Sequence, residues 1–199
     1  MLHTPSKPSG LGLVLTHGAG ANAQAPLLVH LATIFADAGW FVLRYNLPFR
    51  QRKPFGPPSP ATAAEDRAGL HTAVEQLRQN AARICLGGHS YGGRQASMLA
   101  AEIPGLVEAL LLLSYPLHPP KKPTQLRTAH FPQLHTPALF VSGAKDEFAT
   151  LEELADAVAL ISARPAIQII ESAGHDLKKG ASGVTERVVQ EFTRFVTPS

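Results

Sequence analysis

A single cysteine, Cys85, stands among 199 residues. One thiol excludes an internal disulfide framework and any cysteine-rich zinc site. No apolar run approaches the ~18 residues needed to span a bilayer. The amino-terminal stretch from Met1 to Gly10 is polar and Pro-rich, without the apolar core of a secretory signal. Charge of one sign is scarce as well: 18 Lys+Arg against 15 Asp+Glu leave +3, too weak a field for a nucleic-acid surface. Gly18 and Gly20 start a G-x-G, but Ala21, Asn22 and Ala23 follow, and no P-loop Gly-Lys-Ser/Thr occurs. His118, His130 and His135 share one segment at a spacing that matches no metal signature. Neither a metal nor a cofactor is expected, and neither nucleic acid nor membrane is expected as a partner.

What remains suits a soluble, cytoplasmic protein with a single domain over residues 1–199. Hydrophobic residues make up 45% of the chain, and a chain of this length buries roughly 70% of its unfolded surface without staples. Oligomeric state is left open. Short apolar runs alternate with helical patterns. Strands are expected at Gly12–Thr16, Trp40–Asn46, Arg83–Gly88, Leu106–Ser114, Ala138–Ser142 and Ala166–Glu171. Helices are expected at Gln24–Ala38, Thr62–Asn80, Gly92–Ala101, Thr150–Ile161 and Val184–Val196. Thr62 with Glu65 and Thr150 with Glu153 each read as a capping box. Strands apolar on both faces and separated by helices predict an α/β fold: a doubly wound, mostly parallel six-stranded sheet with helices on both faces. Two Pro-rich segments, Pro48–Ala61 and Tyr115–Pro137, break the rhythm and read as functional or mobile loops.

Gly88-His89-Ser90-Tyr91-Gly92 lies where the third expected strand meets the third helix. G-x-S-x-G in that context forces the serine into a sharp turn above the sheet, at a helix N-terminus. His17-Gly18-Ala19-Gly20 follows the first expected strand, next to the third in a doubly wound sheet, so both loops belong at the crevice where strand order reverses. The backbone N–H groups of Tyr91 and of Ala19 or Gly18 are candidate oxyanion donors. A serine hydroxyl needs a base. His175 follows the sixth expected strand and Asp146 the fifth, both at the edge that carries Ser90, in the chain order Ser, Asp, His. Glu147 is a second candidate for the acid. Pocket polars are sought in His17, Asn46, Arg50 and His118, with His17 read as more structural than catalytic. Arg50, Arg94 and Arg127 are weighed for recognising a substrate carboxylate or phosphate, and Arg94 reads instead as an ion-pair partner behind the turn. Cys85 reads as core.

HGAG after the first strand, GHSYGG at the turn, G-x-x-D after the fifth strand and GH after the sixth resemble the α/β-hydrolase superfamily. The compact members related to dienelactone hydrolase are the most similar, over about Gly12 to Val196. Dienelactone hydrolases use a cysteine nucleophile, whereas this chain has serine, and the antiparallel hairpin that opens many members is expected to be missing. The resemblance implies Ser90 as nucleophile, His175 as base, Asp146 as orienting acid, and Tyr91 and Ala19 as oxyanion donors. The expected function is a serine hydrolase acting on small carboxylic esters through an acyl-enzyme, at an open site with no large cap. The alternatives are a non-catalytic binding or scaffold module on the same fold, or an acyltransferase or peptidase with the same three residues.

Overall fold

In the computed structural model, which describes residues 1–177 and 183–197, Leu11–Thr16 forms a strand with all six residues buried. A strand apolar on both faces requires cover on both sides, and the helices provide it. Seven strands, β1 (Leu2–His3), β2 (Leu11–Thr16), β3 (Phe41–Tyr45), β4 (Arg83–His89), β5 (Leu110–Leu113), β6 (Ala138–Gly143) and β7 (Pro165–Ile170), lie in the order β1-β3-β2-β4-β5-β6-β7. All neighbours pair in parallel except β1 with β3. The helices are α1 (Pro26–Asp37), α2 (Pro48–Arg52), α3 (Ala63–Leu77), α4 (Tyr91–Glu102), α5 (Leu151–Val158) and α6 (Val184–Val196).

Alternation along the strands sends side chains to two cores. Leu13 and Leu15 of β2 pack with Phe35 of α1, Trp40, and Val188 and Phe192 of α6. The Phe35 and Trp40 rings meet edge to face at 5.2 Å. Val14 of β2 faces the other way, into a cluster with Leu70 and Val74 of α3, Leu99 of α4 and Leu154 of α5. Among the described residues no helix is long and apolar enough to cross a membrane.

Among the described residues the sheet has seven strands where six were expected. The addition, β1, pairs Leu2 with Leu43 and His3 with Val42 in antiparallel fashion. Two residues carry no periodic signal, and the pairing rests on backbone groups, with Arg44 N donating to Met1 O at 3.0 Å. The Thr62 capping box does not form. Thr62 ends a 3₁₀ turn, Pro60–Thr62, whose cap is Ser59, and Glu65 pairs with Arg52 instead. The Thr150 box does form, with both bonds present. Part of the expected Pro48–Ala61 loop is helical, since Pro48 stands at the start of α2, where its missing N–H has no role. The parallel arrangement brings the segments after β2, β4, β6 and β7 to one edge of the sheet.

Candidate active site

Ser90 sits between β4 and α4 with φ 51° and ψ −117°. A non-glycine residue held there costs about 1–3 kcal/mol and persists only where its surroundings over-determine it. Here the flanking glycines make the turn feasible. A Cβ on Gly88 would lie 2.6 Å from the Gly92 carbonyl carbon, and one on Gly92 would lie 2.5 Å from the His17 oxygen. Ser90 N donates to Leu113 O at 2.8 Å, tying the turn to β5.

His175 Nε2 lies 2.8 Å from Ser90 Oγ, and Nδ1 lies 2.9 Å from both carboxylate oxygens of Asp146. A carboxylate accepts only, so Nδ1 carries the ring proton and Nε2 is left to accept the Ser90 O–H. The Asp146 side chain is wholly buried, and its Oδ1 also accepts the Phe148 N–H at 2.9 Å. The Phe148 ring packs 4.1 Å from the His175 ring. The segments after β6 and β7 touch directly: Lys145 N donates to Ala173 O at 3.0 Å. Only glycine fits between them, because a Cβ on Gly143 would lie 2.3 Å from Ala173 O. His89 Nε2 donates to the His175 carbonyl at 2.8 Å, and burial depresses the His89 pKa, favouring the neutral ring. Glu147, the other acid considered, is exposed.

The Gly18–Ala21 segment lies beside the serine: a Cβ on Gly18 would be 3.4 Å from Ser90 Cβ. The Gly18 carbonyl accepts from His17 Nδ1 at 2.9 Å and from Ala21 N at 3.1 Å. In a trans peptide the N–H points opposite the carbonyl, so the Ala19 N–H is turned away from the buried His17. Tyr91 opens α4, where the first N–H groups have no intrahelical acceptor. The Tyr91 N–H thus follows the serine at the start of α4, and the Ala19 N–H belongs to the segment beside it. The Tyr91 hydroxyl donates to Asp66 Oδ2 at 2.7 Å, while Asp66 Oδ1 accepts the Phe49 N–H at 2.9 Å.

The four residues considered as pocket polars each make bonds that hold neighbouring segments, His17 in the structural role expected of it. His17 is fully buried, and its Nε2 accepts the Leu47 N–H at 3.1 Å. Burial pushes its pKa down to about 4. Asn46 Oδ1 accepts the Ala23 N–H at 2.7 Å. Arg50 donates to four backbone carbonyls: Ala19 at 2.6 Å, Ala21 at 2.8 Å, Gly56 at 2.9 Å and Lys53 at 3.1 Å. It fastens the Gly18–Ala21 segment to the Pro-rich segment. His118 is buried against Pro119 O and Glu153. A cleft of about 580 Å³ opens over Ser90 and His175, walled by Ala19, Pro57, Pro58, Phe148, Arg94 and Arg127. Both Pro-rich segments therefore reach its rim. Arg94, expected as an ion-pair partner, has no carboxylate partner among the described residues. Asp66 and Phe148 escaped sequence reasoning: no motif marks them, and their roles arise from contacts between distant segments. His89 lay within the recognised motif, but its bond to His175 spans 86 positions.

A parallel sheet with a serine turn after β4, and with an imidazole and a carboxylate on the following loops, defines the α/β-hydrolase class. Residues 10–196 match the family described as "Alpha/beta hydrolase domain", and the chain belongs to that family. Solved structures share the fold at low identity. A dienelactone hydrolase from Anabaena variabilis is 22% identical with a TM-score of 0.75, over 98% of this chain and 89% of that one. Est1E from Butyrivibrio proteoclasticus with bound ferulic acid is 16% identical with a TM-score of 0.80, over 99% and 94%. A serine hydrolase without a lid from Xanthomonas campestris is 15% identical with a TM-score of 0.77, over 100% and 88%.

Proposed function

We propose that this protein is a serine hydrolase of small-molecule carboxylic esters. The observation that carries the reading is the unbroken hydrogen-bonded chain from Ser90 Oγ through His175 to the buried Asp146. In this reading Ser90 Oγ attacks the ester carbonyl while His175 Nε2 takes its proton. The developing oxyanion is met by the Tyr91 and Ala19 N–H groups. His175 returns the proton to the departing alkoxide, leaving an acyl-enzyme. Water, deprotonated by the same nitrogen, then releases the acid and frees Ser90. Asp146 holds the imidazole in the required tautomer and stabilises the imidazolium.

An open cleft favours short acyl groups, and the likeness to a structure with bound ferulic acid and to one described as without a lid supports this choice. The test is hydrolysis of p-nitrophenyl acetate by the wild type and by Ser90→Ala and His175→Ala. Both variants should lose at least about 10³-fold in kcat. Turnover by folded Ser90→Ala equal to that of the wild type would overturn the assignment.

A further inference from the structure

Arg94 lies one turn beyond Ser90 on α4, its N–H bonded to Ser90 O at 3.0 Å. Arg127 comes from the segment between β5 and β6. Both line the cleft that holds Ser90 and His175. Among the described residues, most other guanidinium groups are visibly occupied, Arg164 by the Phe195 carbonyl and ring. Arg52, Arg67, Arg78, Arg83 and Arg194 each pair with a glutamate. Arg44 and Arg50 are taken up by backbone carbonyls and, for Arg44, by His3 and Gln24. Arg94 and Arg127 differ: the Arg94 side chain meets the Tyr115 hydroxyl but, among the described residues, no charged partner. Among the described residues neither meets a carboxylate within ion-pair distance, and the buried Nε of Arg94 has no hydrogen-bond partner. The one side-chain bond from Arg127 is a long one, 3.3 Å, to Pro116 O. The two cations are close enough that Arg94 lowers the pKa of Arg127, with burial the larger cause.

Two like charges on the wall of one cleft, one of them with a buried donor unused, repel each other unless an anion joins them. A planar guanidinium fork suits a carboxylate or a phosphate. Tyr115 holds the pair in place from behind: its hydroxyl donates to Arg127 O at 2.7 Å, and its ring is fully buried.

We infer that Arg94 and Arg127 bind an anionic group of the substrate, so that the esters cleaved carry a carboxylate or phosphate a few bonds from the scissile carbonyl. The inference rests on the hydrolase reading and adds the substrate class to it. A charge-assisted hydrogen bond contributes enough for a preference of about tenfold or more.

The experiment compares kcat/KM for mono-p-nitrophenyl glutarate, which bears a free carboxylate, with that for the neutral p-nitrophenyl pentanoate. The wild type should favour the anionic ester by about tenfold or more, and the ratio should fall toward one in Arg94→Gln and in Arg127→Gln. Arg94→Lys, which keeps the charge, should retain part of the preference. Inhibition by free glutarate against inorganic phosphate distinguishes the two anions, and loss of either inhibition in the Gln variants supports the pair. A wild-type ratio at or below one, or a ratio unchanged in both Gln variants, overturns the inference. Thermal shift of Ser90→Ala with glutarate separates the two readings. An Arg94-dependent rise in melting temperature supports the anion site even if no ester is turned over. No rise together with no turnover overturns both.

Discussion

Replacing Arg50 by alanine removes one side chain and unpairs four backbone carbonyls, those of Ala19, Ala21, Lys53 and Gly56. The Arg50 residue is nearly buried, at 6% exposure. Each bond to a charged donor contributes about 1.5–3 kcal/mol. The carbonyls border an open cleft and regain water in the variant, so the loss stays well below the sum, at about 2–4 kcal/mol. The effect on rate is separable. Arg50 anchors Ala19 and Ala21, on either side of Gly20, in the segment that carries the proposed Ala19 donor. Removing an oxyanion donor outright costs about 10²–10³ in kcat. Loosening the segment keeps the donor but blurs its placement, so Arg50→Ala should lose about 10–100-fold in kcat, with little change in KM. Arg50→Lys, a compact cation that cannot reach four carbonyls in a plane, should fall between. Urea unfolding gives the stability change, and steady-state hydrolysis of p-nitrophenyl acetate gives the rate. If Arg50→Ala unfolds more easily yet keeps kcat within about twofold of wild type, the arginine staples the fold without positioning the donor, and the proposed link to Ala19 is wrong.

Other outcomes are equally specific. His17 has its pKa lowered from 6.5 to about 4 by burial, so the unfolded chain takes up the proton first on acidification. Its contribution is complete above about pH 6.5 and is lost as pH falls toward 4, to a total of about 3 kcal/mol. Urea titrations across that range should show the slope, and His17→Gln should reduce it, with His130, likewise pushed down to about 4 by burial, supplying the remainder. Gly143→Ala places a methyl group where Ala173 O already lies, 2.3 Å away. It should force the Asp146 and His175 segments apart and lower kcat by at least about tenfold, whereas unchanged kinetics would show that these segments yield freely. Asp66→Ala leaves the Phe49 N–H and the Tyr91 hydroxyl without an acceptor and should cost about 2–4 kcal/mol by thermal or urea unfolding. Cys85 is fully buried, with its pKa pushed up to about 12 by desolvation. It should resist a thiol-specific disulfide reagent in the native protein and react fully in urea.

Periodicity made the large elements legible. The last helix, Val184–Val196, coincides with the expected range because its apolar stripe repeats cleanly against the sheet. The expected first helix loses two residues at its start, where Pro26 takes the N1 position and sets the boundary. The run from Leu106 to Ser114 overstated its strand. After Gly105 at φ 80°, Leu106, Val107 and Ala109 are buried in a connection from which Glu108 points out, and only Leu110–Leu113 joins the sheet. Apolar content reports burial, and burial alone does not distinguish a strand from a packed turn. The small β1 strand and the failed Thr62 cap were illegible for a related reason. Each is decided by one or two local bonds whose partners lie elsewhere in the chain. At the site, Ser90, Asp146 and His175 were legible because each stands at the end of a recognisable strand in a known order. The supporting residues were not. Arg50 spans 31 positions to Ala19, and Tyr91 reaches Asp66 across 25. A side chain that serves distant backbone looks, in sequence, like any other surface arginine or aspartate.

The central claim is that Ser90 is the nucleophile, activated by His175. Intact-mass spectrometry after treatment with a fluorophosphonate tests it at the atom concerned. The wild type should gain a single adduct that peptide mapping places on Ser90. Folded Ser90→Ala should gain none, and His175→Ala should label slower by at least about 10²-fold. An adduct of equal yield on Ser90→Ala, or a wild type that stays unmodified while p-nitrophenyl acetate is turned over, would contradict the claim.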